Sequence, residues 1–126
     1  MKESIVKEKS FEFALQIIEL YKVLQEEKEF VISKQLLRSG TSIGANVNEA
    51  LAGISKADFA YKMSISSKEA RETLFWLQLL DKSQMVKYDY KPFIINCKEL
   101  VKMLTSIVKT TQIKLTAENQ KLKTKH

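Results

Sequence analysis

Three observations predict an all-α fold, an up-down-up-down four-helix bundle. Only three glycines and one proline punctuate the 126 residues, too few for a fold of many strands. The chain is rich in Leu, Ile, Lys, Glu, Gln, Met and Ala, which tolerate helix well. Apolar residues recur at intervals of three and four through four successive segments. With 44% hydrophobic residues, the chain can bury one core without disulfide or metal staples.

The first helix is predicted over about 10–26. Phe11, Leu15, Ile18 and Tyr21 form one stripe, and Phe13, Ile17, Leu20 and Leu24 form a second. A helix facing a single core needs only one stripe. Two stripes predict cover on two sides, the second supplied by another chain. QEEKE at 25–29 is too polar for a core and reads as the first turn.

The second helix is predicted over about 30–52, on the stripe Leu36, Gly40, Ile43, Val47, Ala50 and Ile54. Gly53 then suits a left-handed residue just past a helix end. Ser55 reads as the N-cap of a third helix over about 55–81, with Asp58 adding negative charge to its first turn. Phe59, Met63, Ser66, Ala70, Leu74 and Leu77 carry its stripe. The fourth helix is predicted over about 89–115, capped by Asp89, with Pro92 in a first turn that needs no N–H from it. Phe93, Cys97, Leu100, Leu104 and Val108 carry it onward. The bundle therefore spans 1–115, and 116–126 reads as a frayed, basic tail.

One cysteine excludes an internal disulfide framework and fits a reducing compartment. The charged start, MKESIVKEKSFEF, has no apolar run of signal-peptide length. No stretch approaches the roughly 20 apolar residues of a membrane span. A cytoplasmic protein without a membrane partner is the expectation. The net charge of +6 favours a polyanionic partner, and five lysines against Glu118 fall within 109–126. A solubilising tail would carry the same charge.

RSGTSIGANVNEA, at 38–50, holds two glycines, Gly40 and Gly44. No strand precedes them and no GK[ST] ending follows, so a phosphate loop is a poor reading. Glycine within a helix costs about 1 kcal/mol relative to alanine. Close approach of a neighbouring helix offsets that cost, so Gly40 and Gly44 are assigned to helix contact. Arg38, Ser42, Asn46 and Glu49 line one helix face. They form either a solvated stripe or a buried ladder in which Arg38 meets Glu49, Glu69 or Glu72. The glycines favour the buried version.

These residues carry a family resemblance. The pattern R-x-x-x-S-I-x-x-N-I-x-E is met by Arg38, Ser42, Ile43, Asn46 and Glu49, with Val47 in place of isoleucine. E-x-x-E-T-x-x-W-L is met by Glu69, Glu72, Thr73, Trp76 and Leu77. From about Phe11 to Thr110 the chain resembles the four-helix-bundle proteins of the S23 / 23S rRNA intervening-sequence family. Ala50 stands where many relatives have glycine. The resemblance implies a left-handed bundle, a ring-like homopentamer and no known catalytic activity. It also implies genes within rRNA intervening sequences or standing alone. Related accessory proteins of diversity-generating retroelements bind nucleic acid through basic surfaces.

No catalytic residue, metal site or cofactor is expected. His126, the lone histidine, lies at the chain end, where a general base could not be held. Cys97 falls on a core stripe, and Glu49, Glu69 and Glu72 lack the Glu-x-x-His motifs of di-iron bundles. Lys34, Arg38, Lys56, Lys62, Lys68 and Arg71 are the basic residues of the middle helices, and a ring would multiply any patch they form. The nucleic-acid-binding set is Lys62, Lys68, Arg71, Lys114, Lys121, Lys123 and Lys125. Tyr61, Trp76 and Tyr88 either stack on bases or pack within the protein, and packing is favoured for Trp76. RNA or DNA bound without strong sequence preference is the first reading. A scaffold holding a protein partner is the alternative.

Overall fold

The computed structural model describes residues 2–124. Lys125 and His126 therefore lie outside the described residues. Four helices, α1 (Lys2–Glu26), α2 (Ile32–Leu51), α3 (Lys56–Ser83) and α4 (Lys91–Thr124), form the bundle, and no strand occurs among the described residues.

Helix α1 begins eight residues earlier than the sequence predicts. Val6, fully buried seven residues before Phe13, extends the inner stripe toward the start of the chain. Phe13, Ile17, Leu20 and Leu24 continue that stripe with exposures of 2% or less. Fully burying one such side chain contributes about 1.5–3 kcal/mol, so this stripe fixes which way α1 faces.

The α1–α2 turn departs from its polar reading, because Glu29 is only 8% exposed. Its carboxylate accepts from the backbone N–H groups of Val31 at 3.0 Å, Ile32 at 3.1 Å and Ser33 at 2.6 Å. Those donors open α2 and have no partner within the helix, so the acidic cap supplies what they lack. It also moves the start of α2 from the predicted residue 30 to Ile32.

Gly53 does not adopt a left-handed conformation, since no glycine has a positive φ. The left-handed residues are Lys28 after α1 and Gln84 after α3. What Gly53 supplies is room: a Cβ there would lie 2.6 Å from Asp58 Oδ2 and 3.0 Å from the Ala50 carbonyl oxygen. Ser55 caps α3 by accepting from the Asp58 N–H at 3.0 Å. Asp89 accepts from the Lys91 N–H at 3.2 Å where α4 opens.

Helix α4 runs nine residues past the predicted boundary at 115. No glycine or proline follows Pro92 to stop it. Thr111 and Leu115 are half-buried, and Glu118 pairs with Lys56 at the start of α3. Around the core, α1 packs on α2 and α4, and α3 packs on the same two helices. Hydroxyls also cross the α2–α3 seam: Ser66 donates to the Ile43 carbonyl at 2.8 Å and Thr73 to Ser39 Oγ at 2.9 Å. No buried side-chain nitrogen or oxygen among the described residues lacks a partner.

Candidate functional site

Helix α2 meets its neighbours through two different faces. Toward α1 it presents the small residues. A Cβ on Gly40 would lie 2.9 Å from Ile17 Cγ2, and one on Gly44 would lie 3.2 Å from the Ser10 backbone oxygen. Both glycines are buried, and at these positions α1 comes so close that an added Cβ would require its neighbour to shift.

Toward α3 it presents Arg38, which donates to Glu69 at 3.1 Å and also to Glu72. Glu72 also accepts from the Trp76 indole N–H at 3.0 Å. The Arg38 side chain is 49% exposed, so the cluster sits on the rim of the α2–α3 seam and is not a buried ladder. The long arginine side chain reaches outward across the seam, where both carboxylates keep part of their water. Ser42 and Asn46 turn back onto their own helix, donating to the Arg38 and Ser42 carbonyls at 2.6 and 2.9 Å. Glu49 pairs with Lys62 at 3.0 Å instead of joining Arg38. That hydrogen bond and the attraction between the two charges raise the Lys62 pKa above its ordinary value.

The core positions carry no reactive group. Burial pushes the Cys97 thiol up to about 12, away from the thiolate a nucleophile requires. Tyr90, absent from the sequence reading, is fully buried and donates to the Val86 carbonyl at 2.8 Å. Among the described residues no group of three His, Cys, Asp or Glu gathers where a metal could be held.

The outer surfaces of the two halves differ. On α1, Phe11 is 61% and Leu15 51% exposed. With Ile18, Gly44 and Ala45 they line a groove of about 250 Å³ between α1 and α2. On the other half exposed apolar residues such as Ile95 and Ile113 also occur, and what sets that half apart is its charge. Residues 1–54 hold seven basic and eight acidic residues, whereas 55–126 hold fourteen and seven. The positive charge therefore belongs to α3 and α4.

The predicted basic set divides. Lys62 is engaged by Glu49, while Lys68 and Arg71 are exposed on α3, and Arg71 donates to Thr105 of α4 at 2.8 Å. Lys114 and Lys121 are exposed on one side of α4, with Lys123 turned well away from them. Lys125 is not among the described residues. The set also misses Lys91, Lys98 and Lys102, which are exposed along α4 and aligned with Lys109. Their spacings of 7, 4 and 7 were the signal available in the sequence. Tyr61 is 63% and Phe75 54% exposed, whereas Trp76 is half-buried.

Fold and surface define a four-helix protein with an exposed apolar groove between α1 and α2 and an excess of positive charge on α3 and α4. The chain belongs to the 23S rRNA-intervening sequence protein family, whose model matches residues 2–106. It is similar to a solved structure of a protein with unknown function from the S23 ribosomal protein family of Bacteroides thetaiotaomicron VPI-5482. The two are 50% identical with a TM-score of 0.80, over 86% of this chain and 99% of that one. No curated protein matches the chain. No helix of the described residues is long and apolar enough to cross a membrane.

Proposed function

We propose that this protein is a non-enzymatic, cytoplasmic assembly module that binds RNA or DNA electrostatically, with little sequence specificity. The excess of fourteen basic over seven acidic residues in 55–126 carries this reading. A basic surface without a base-reading motif gives affinity through phosphates, which carry no sequence information. The family's name adds support for an RNA context.

The module is a homo-oligomer, a pentamer by the family resemblance, built of left-handed up-down-up-down bundles. Contacts that pair Lys9 with Glu99 and Lys2 with Ser106, and Arg38 with Glu69 while Glu49 meets Lys62, support alternating helix directions. The exposed Phe11–Leu15 face supports self-association, since apolar residues grouped outside a core mark an interface.

Titration of the full chain with structured RNA, single-stranded RNA and duplex DNA at two salt concentrations tests the binding. Affinity should fall steeply between about 50 and 200 mM salt, as counterion release requires. Absence of binding at the lower salt would move the reading to a scaffold for a protein partner.

A further inference from the structure

Resting on that nucleic-acid reading, we propose that single-stranded nucleic acid lies along the solvent face of α4, its phosphates on Lys91, Lys98, Lys102 and Lys109 and a base against Phe75. The argument starts from helical geometry. At about 100° per residue, spacings of 7, 4 and 7 keep the four lysines within roughly 20° of one line. At about 1.5 Å per residue that line is roughly 27 Å long. All four are exposed, and none makes an ion pair among the described residues.

The acidic residue nearest the row in sequence is Glu99, about 80° to one side toward α1, where Lys9 holds it. On α3, Arg71 donates to Thr105, which brings its guanidinium beside the row, and Lys68 lies one turn before it. Phe75 follows Arg71 by four residues, so it shares that face of α3, and the residue is 54% exposed.

A row of unpaired cations beside an exposed ring suits a strand whose bases are free to stack. A duplex keeps its bases from the ring and curves away from a straight row. Single-stranded RNA and DNA offer the same chemistry, so the experiment separates them.

The test is fluorescence anisotropy on the full chain with labelled uridine and thymidine homopolymers of about twenty nucleotides and a duplex of equal length. Lys98→Glu with Lys102→Glu should weaken single-strand binding at least about tenfold and flatten the log–log salt slope by about 1.4, two contacts' worth. Phe75→Ala should weaken single-strand binding with the slope unchanged, and leave the duplex unaffected. Both sets alter exposed positions, so circular dichroism should show the wild-type fold. Lys114→Glu with Lys121→Glu, exposed and turned more than about 100° from the row, should change affinity by less than threefold, a bound set by their place off the row. If the wild-type chain binds but the Lys98/Lys102 variant binds equally well, the site is overturned and the general reading stands. If the duplex binds more tightly than both single strands, the strand preference is overturned. If the wild-type chain binds none of the three at low salt, both proposals fall.

Discussion

Phe11 and Leu15 stand about half exposed on α1, whereas Lys98, Lys102 and Lys109 stand exposed in line on α4. The two helices share one core and one period, with Ile17 and Leu20 buried on α1 as Leu100 and Leu104 are on α4. Folding needs the inner stripe and leaves the outer one open. The difference between the halves therefore lies where the fold imposes least. At Phe11 and Leu15 carbon faces out, where a partner surface would hide it from water, and along Lys98, Lys102 and Lys109 ammonium faces out, where water or phosphate must remain.

The largest expected effect tests the apolar half. Phe11→Lys with Leu15→Lys places two like charges within one helical turn of the α1–α2 groove. An oligomer closed by that face should dissociate to the 14.5 kDa chain in sedimentation. The folded chain should lose little, because neither side chain belongs to the core. A wild-type chain that already sediments at 14.5 kDa would show that this face covers nothing.

Gly44→Leu tests the same half from within. The Ser10 backbone oxygen stands 3.2 Å from where the first side-chain carbon would go, and a backbone atom cannot rotate away. Overpacking of this kind costs typically about 1–3 kcal/mol, and the rigid neighbour puts this site near 3. Thermal unfolding should record the loss. A melting temperature equal to wild type would mean that α1 stands off from α2.

The inner stripes were legible because burial selects a period: Phe13, Ile17, Leu20 and Leu24 repeat it without interruption. The start of α1 was not, because Val6 is a single apolar residue among charges. Glu29 was hidden for a related reason. A carboxylate that caps three backbone donors looks, in sequence, like any acidic residue in a turn. Along the chain the lysines look densest toward its end, within 109–126. Read around the helix, Lys91 to Lys109 align well before that end. For Arg38 the sequence offered three carboxylates without ranking them, and gave no measure of exposure.

Alkaline pH probes the core beneath the basic face. Burial raises Cys97 from 9.0 and Tyr90 from 10.0, each to about 12. The unfolded chain releases these protons first, so it binds fewer protons than the folded chain above pH 9, and stability falls as pH rises. Full stability holds below pH 9, and Cys97 alone should cost about 2 kcal/mol by pH 10.5. Cys97 donates to the Ala70 carbonyl at 3.3 Å, and Cys97→Ser isolates the thiol, since serine keeps a donor there and does not titrate in this range. Urea unfolding from pH 8 to 10.5 should show a shallower decline in the variant. Parallel declines would mean that the thiol is not buried.

Arg38→Ala has the smallest expected effect and decides which side of the seam the polar cluster belongs to. A buried arginine facing two carboxylates would cost about 3–5 kcal/mol to remove, because both acids would be left charged without a partner. Here the guanidinium is 49% exposed, so water already screens the pair and replaces it when it is lost. Glu72 also keeps the Trp76 N–H, and Glu69 is the more enclosed acid at 17% exposure. The expected loss is about 1 kcal/mol, weighted toward Glu69. Glu69→Gln should recover part of it in the Arg38→Ala background, by removing the charge that lost its partner. Chemical unfolding of the two single variants and the double closes the cycle. A loss above about 3 kcal/mol for Arg38→Ala would mean that a second chain covers the rim and buries the pair, so the α2–α3 seam would join the apolar α1–α2 face as a contact surface.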